Sequence, residues 1–322
     1  VFSRIVGRDI IFGDEECAFF LEWLRRLEAF SGIQVISYCL MGNHFHLLVK
    51  VPPKPSVISD EEVRRRRSYI YSRKMVEQME LRYKEKREQG NLQYEQDELN
   101  KLRNRMFNLP EFIKDLKLRF SKWYNSNHDR KGTLWEERYK CVLVEGSENA
   151  LMRTAAYIEL NPVRAGLVSH PGQYRWTSYT EALAGGKNAR HGIQILASGQ
   201  GKLMDWKTAE SVYRRYFEHR SVQQSGRRPS VRVSATAAGS SPDGERRIST
   251  GAKDPDPVRR VEPDPPPGRV RYFTEGFILG GRPFIEEFFD EVLKPYRRPP
   301  RPVLLIAGDD SCQVYSYRKL VT

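Results

Sequence analysis

At 322 residues the chain has room for one large domain or two smaller ones around at least one sizeable core. It is 39% hydrophobic and 30% charged, and no run of about 18 apolar residues exists, which excludes a membrane-spanning helix. The net charge of +13 points toward a polyanionic partner, nucleic acid first. Cys17, Cys39, Cys141 and Cys312 are scattered without a CxxC pair, so neither a disulfide framework nor a zinc knuckle is expected, and a reducing cytoplasm fits. The opening VFSRIVGRDIIF lacks both a secretion signal's basic-then-apolar pattern and an initiator Met, as expected of a chain missing its first residues.

VFSRIVGR alternates apolar and polar residues, which predicts a half-buried strand. In DEECAFFLEWLRRLEAFSG, Phe19, Phe20, Trp23, Leu24 and Leu27 recur at helical spacing, with Gly32 at the stop. IQVISYCLM reads as a second strand, GN as a turn, and HFHLLVKV as a third strand. Residues 53–109 are highly charged with weak helical periodicity, and a break at Gly90-Asn91 predicts two helices forming an arm or hairpin. LPEFIKDLKLRFSKWYNSNH is an amphipathic helix, KGTLWEERYKCVLVEG a turn and strand, and SENALMRTAAYIELNPVRAGLV a helix ended by Pro162.

The sum, β-α-β-β-insert-α-β-α, predicts an α+β fold: a ferredoxin-like antiparallel sheet with helices on one face, plus an extra helix. Residues 1–183 form the main domain, carrying 53–109 as an insertion, and 184–221 a helical extension. Residues 222–268, rich in Ser, Gly, Pro and Arg, read as a disordered linker before a small segment over 269–322, in which RPFIEEFFDEVL predicts a short helix.

In a strand, residues i and i+2 share a face, so His44 and His46 project side by side while Phe45 points to the opposite layer. Two neutral imidazoles on one face make a half-site for a divalent metal. Two half-exposed histidines without a role are the plainer alternative. Tyr157 and Asn161, four residues apart, lie on one helical face. The carbonyl oxygen of Asn161 suits Mg²⁺ or Mn²⁺, and the phenol of Tyr157 is a nucleophile for phosphorus once a metal polarises the phosphate.

MGNHFHLLVKVP, GTLWEERYK and YIELNPVRAGLVSHPGQYRWTSY, in this order, resemble the motif blocks of the REP-associated tyrosine transposases, in the single-tyrosine branch of the HUH nucleases. The resemblance covers residues 1 to about 183, and YFTEGFILGGRPFIEE is similar to a carboxy-terminal block of longer members. It implies that His44 and His46 bind the divalent ion, that Asn161 is the third ligand and that Tyr157 is the nucleophile. The implied activity is cleavage of single-stranded DNA beside a hairpin or palindrome, through a 5′-phosphotyrosine intermediate that permits rejoining without ATP. The implied location is cytoplasmic, on the nucleoid. A chromosomal copy that binds hairpin DNA without cutting is the alternative, and a zinc hydrolase is disfavoured by the lack of a third His, Cys or acid at ligand spacing. Monomer and homodimer stay open.

Several cations are candidate DNA contacts. Arg138 and Lys140 lie either on phosphate or on a solvated strand edge. Arg64, Arg65, Arg66 and Arg67 form a run that is either solvated or attracts DNA by counterion release. Arg153 and Arg164 flank Tyr157 and are placed to bind the scissile phosphate or lower the phenol pKa. Trp135 and Tyr179 read as core, and no role is assigned to the other four histidines.

Overall fold

The structure is a computed structural model and describes residues 1–199, 201–225, 278–288, 303–306 and 314–317. The architecture is mixed α/β, built around a small antiparallel sheet of three strands, β1 (Phe2–Arg4), β2 (Gln34–Met41) and β3 (His44–Lys50), in the order β1-β3-β2. β1 is shorter than its alternation predicts. Gly7 and Arg8 take φ of 69° and 63°, and a 3₁₀ turn over Val6–Arg8 ends the strand. α1 (Asp14–Ser31) begins with three acidic residues, which favour the positive end of the helix dipole. It stops at Gly32, whose φ of 78° lets its N–H reach Glu28 O. β2 and β3 form a hairpin through Gly42-Asn43, in register from Gln34↔Lys50 to Met41↔His44, with a bulge between Val35 and Ser37.

Both edges of the sheet are covered by irregular chain. Beyond β1, the segment 134–140 makes two antiparallel bridges, Ile5↔Trp135 and Phe2↔Lys140, the latter closed by backbone bonds of 2.9 and 2.8 Å. The strand predicted there is a pair of bridges followed by the two-residue β4 (Leu143–Val144), which joins another sheet. Beyond β2, Leu40 N donates to Trp176 O at 2.9 Å, and Cys39 bridges Thr177.

Helices cover both faces of the sheet, where the sequence predicts one. On the Phe45 face, α1 and α5 (Leu109–Asn127) pack Phe20, Leu24, Phe112 and Phe120 against Tyr38, Leu40 and Phe45. On the other face, α6 (Glu148–Glu159) and α9 (Lys187–Ser198) pack Ala155, Ile158, Ile193 and Leu196 against Ile36, Cys39 and Met41. The physical reason lies in β2, where every residue from Val35 to Met41 is buried. A continuous apolar run is the mark of a strand covered on both sides. Gly192 permits the close approach of α9, since a Cβ there would meet Ile36 O at 2.3 Å. Two short helices, α7 (Asn161–Arg164) and α8 (Ser178–Leu183), and a longer one, α10 (Trp206–Ser225), complete this layer.

The charged insertion holds three helices, α2 (Asp60–Arg67), α3 (Arg73–Glu88) and α4 (Gln93–Arg105), in place of two. Ser59 and Ser72 cap the first two, and Gly90 turns the chain between α3 and α4 with φ of 78°. The insertion is not a free arm. Val63, Ile70, Leu99, Leu102 and Met106 join the core on the Phe45 face.

The carboxy-terminal segment adds to the fold through a second sheet, ordered β4-β5-β7-β6, with β5 (Ile278–Gly280), β6 (Val303–Ile306) and β7 (Val314–Tyr317). β4 and β5 run parallel, Leu143 beside Ile278, and Gly281 N donates to Glu145 Oε2 at 2.8 Å. The helix expected after this strand is present at Arg282–Phe288. Of the expected linker, residues 222–225 belong to α10, and the rest lie outside the described residues, as does Cys312. Among the described residues no helix is long and apolar enough to cross a membrane.

Candidate active site

The sheet register builds the site. In antiparallel pairs, directly opposite residues share a face. Phe2 faces His46, which faces Cys39, and Arg4 faces His44, which faces Met41. His44 and His46 therefore stand side by side, their ring centres 5.1 Å apart at 82°. Phe2 braces both, at 5.4 and 4.9 Å. Phe45 points the other way, into Phe20 at 4.9 Å and Trp135 at 5.5 Å.

Burial sets the imidazole chemistry. Desolvation first, then the charge of Arg4, lowers the His44 pKa to about 4. Desolvation first, then His44, lowers that of His46 well below its ordinary value. Both rings are neutral at pH 7, the form that ligates metal. His44 Nδ1–H donates to Asn43 Oδ1 at 2.7 Å, and the Asn43 amide is held in turn by Arg8 O at 2.8 Å. That bond assigns the proton to Nδ1 and leaves the Nε2 lone pair to a ligand, the usual outer-shell device of metal-binding histidines.

α6 supplies the tyrosine. The Tyr157 ring lies 5.8 Å from His46 at 86°, so strand and helix meet within one chain. Burial pushes the phenol above its ordinary value, opposed by the charges of Arg164 and Arg4. The Arg164 guanidinium lies over the Tyr157 ring at 4.1 Å and donates to Tyr157 O. Pro162 does not simply end the helix. The turn breaks at Leu160, and α7 restarts at Asn161 with Pro162 in its first turn. Asn161 Nδ2 donates to Tyr157 O at 3.0 Å and to Ile158 O at 3.1 Å, which fixes the amide beside the tyrosine and leaves Oδ1 as the acceptor.

His44, His46 and Asn161 are the residues that could hold a divalent ion of the oxygen-tolerant kind. An ion about 2.1 Å from one nitrogen of each ring would sit between ring centres spaced as these are. Among the described residues no cluster of three His, Cys, Asp or Glu exists. The neighbours of such an ion are Arg4 and Arg164. A site of neutral ligands beside two guanidiniums holds a cation well only together with an anion.

His46 and Tyr157 also line a cavity of about 680 Å³ between β3, α6 and the segment 141–146. Glu159, two residues beyond Tyr157, points elsewhere. It is fully buried against Ser37 Oγ at 3.1 Å, Ser178 Oγ and Tyr179 N at 3.2 Å, and desolvation raises its pKa to about 7.

The other predicted cations separate into three groups. Arg164 is at the site. Arg64 pairs with Glu80 and Glu95, Arg65 and Arg66 with Glu62, and the buried Arg67 with Glu80. The run is thus committed to carboxylates of its own insertion. Lys140 pairs with Glu137 at 3.0 Å, Arg138 is exposed, and Arg153 is 9% exposed with its Nη1 unbonded. Trp135 is core, its Nε1–H donating to Ser121 Oγ at 2.8 Å, and Tyr179 is core with its hydroxyl on Glu210.

Phe2, Arg4 and Asn43 are the residues that sequence reasoning missed. Their signals are present: Phe2 and Arg4 alternate in the first strand, and Asn43 immediately precedes the histidines. Comparison of the chain with protein-family models, curated proteins and solved structures gives no match.

Proposed function

We propose that the chain is a metal-dependent single-stranded DNA endonuclease and strand transferase with Tyr157 as its nucleophile. The observation that carries this reading is the meeting of His46 and Tyr157 at 5.8 Å, from a strand and a helix distant in sequence. The strand order supports it as well. The sheet order β1-β3-β2, with segment 135–140 bridged antiparallel outside β1, is compatible with the order of a ferredoxin-like sheet. The net charge of +13 supports DNA as partner, on the nucleoid.

In this reading the Tyr157 oxygen attacks phosphorus and forms the P–O(tyrosine) bond. The bond to the 3′ oxygen breaks. The phenolic proton passes to solvent, and the departing oxygen takes one up as a free 3′-OH. The DNA 5′ side stays attached as a phosphotyrosine ester, and attack by another 3′-OH reverses the steps. His44, His46 and Asn161 would hold Mg²⁺ or Mn²⁺, which supplies Lewis-acid polarisation of the phosphate. Arg164 holds the Tyr157 ring by cation–π contact and favours the phenolate as it develops. The neutral imidazoles of His44 and His46 accept no proton at pH 7, so they act as ligands and not as general acids.

The test is incubation with labelled hairpin DNA bearing single-stranded flanks, in Mg²⁺ or Mn²⁺, followed by denaturing electrophoresis. A covalent protein–DNA band is expected, and Tyr157→Phe abolishes it while binding survives. Binding without a band in either metal sinks the nuclease reading in favour of a hairpin-binding protein. A band that persists in Tyr157→Phe refutes the nucleophile.

A further inference from the structure

We infer that the cavity beside Tyr157 is a subsite for one unstacked nucleobase next to the phosphate that Tyr157 attacks; this rests on the function proposed above. His46 and Tyr157, polar groups of the site, line the cavity together with aliphatic walls. Its volume, about 680 Å³, is that of a small-molecule site. Ile36, Leu151, Ile158, Ile195 and Val144 supply the walls. Among the described residues no carboxylate lines it and Lys50 is the one charged side chain in the lining, so its charge suits a nucleotide and disfavours a basic peptide.

A base drawn out of a stack needs an apolar shelter and a π-face, and the Tyr157 ring, with Arg164 over it, is part of the lining. Among the described residues Thr154 carries the one aliphatic hydroxyl in the wall, and it is spent, since Thr154 Oγ1 donates to Ala150 O at 2.8 Å. Recognition is therefore by shape and stacking. Any base is accepted, and the absence of a base is penalised.

The outer wall, 141–146, is not self-supporting. β4 is paired to β5, and Glu145 N donates to Leu279 O at 2.8 Å. The carboxy-terminal segment thus holds one side of the pocket in place from more than a hundred residues away.

The test uses the full chain and a set of hairpin oligonucleotides with single-stranded flanks, each carrying one 2-aminopurine at a different flank position. Emission reports stacking, and a parallel gel reports the covalent band. A several-fold loss of emission at one or two adjacent flank positions is expected. Leu151→Trp or Ile195→Phe, from different walls, restores the emission while hairpin affinity changes less than threefold. Quenching spread evenly along the flank, or unchanged in both folded variants, overturns the subsite. A filler-sensitive signal without any covalent band would instead overturn the nuclease reading and leave the pocket standing. A band without such a signal does the reverse.

Discussion

The two faces of β3 are one strand apart in composition and opposite in design. On one face Phe45 is enclosed by Phe20 and Trp135, and the surrounding aromatic rings leave it fully buried. On the other, His44 and His46 replace the expected aliphatic residues, and a cavity lies beside them. The first face maximises dispersion and apolar burial. The second accepts the cost of desolvated imidazoles, a raised phenol and unfilled volume. Because alternate residues of one strand serve both, stability and chemistry can be separated by mutating neighbours.

The largest expected effect is on that contrast itself. Phe45→Ala costs about 3–5 kcal/mol of stability in urea unfolding, as for other buried phenylalanines. His46→Ala costs far less, because removing a desolvated polar ring offsets the lost packing. Equal losses at both positions would erase the distinction between the faces.

The next effect concerns pH, and it arises on the His46 face. Between pH 6.5 and about 4, unfolded His44 binds a proton that the folded ring rejects, so stability falls as pH drops through this window. Glu159 acts in the opposite sense. Between its ordinary 4.5 and about 7 the folded carboxyl keeps a proton that the unfolded one releases, so its contribution is lost as pH rises to 7. In metal-free buffer, His44→Asn flattens the acid limb, whereas Glu159→Gln gains on the wild type as pH rises from 4.5 to 7. Each change is on the order of 1–3 kcal/mol in denaturant titrations at several pH values. Unchanged profiles would place these groups in water.

Cation binding sharpens the comparison further. On the proposed function, with neutral ligands beside Arg4 and Arg164, Mn²⁺ is expected to bind weakly to the free protein. In Tyr157→Phe with hairpin DNA bound, its affinity rises at least about tenfold, equivalent to about 1.4 kcal/mol. Electron paramagnetic resonance of free Mn²⁺ measures this directly. The same affinity with and without DNA would contradict a site completed by phosphate.

Much of this was legible in the sequence, and the failures have physical causes. The β2–β3 hairpin and α6 follow from local periodicity, and so do the common face of His44 and His46 and the position of Tyr157 on a helix. Coverage of both faces is signalled by IQVISYCLM, in which Gln34 and Ser37 are the polar residues among apolar ones. The segment 134–140 was not legible as bridges, because its pairing depends on β1 and not on its own pattern. The arginine run misled for a related reason: Glu80 and Glu95 lie on other helices, and only the tertiary fold brings them to Arg64 and Arg67.

The smallest effect tests that correction. Arg65→Ala, whose partner Glu62 is on the same helix, should leave the salt dependence of DNA binding unchanged. Arg138→Ala, at the exposed edge beside β1, should lower the slope of log K against log salt by up to about 1. A lowered slope in Arg65→Ala would return the insertion to the DNA interface.

The proposed function rests on Tyr157 taking the DNA phosphate. Proteolysis of the cross-linked protein followed by mass spectrometry of the nucleotide-bearing peptide tests it most directly. A 5′-phosphonucleotide is expected on the phenol of Tyr157 alone. The same mass on any of the other tyrosines, or on a serine, would contradict it.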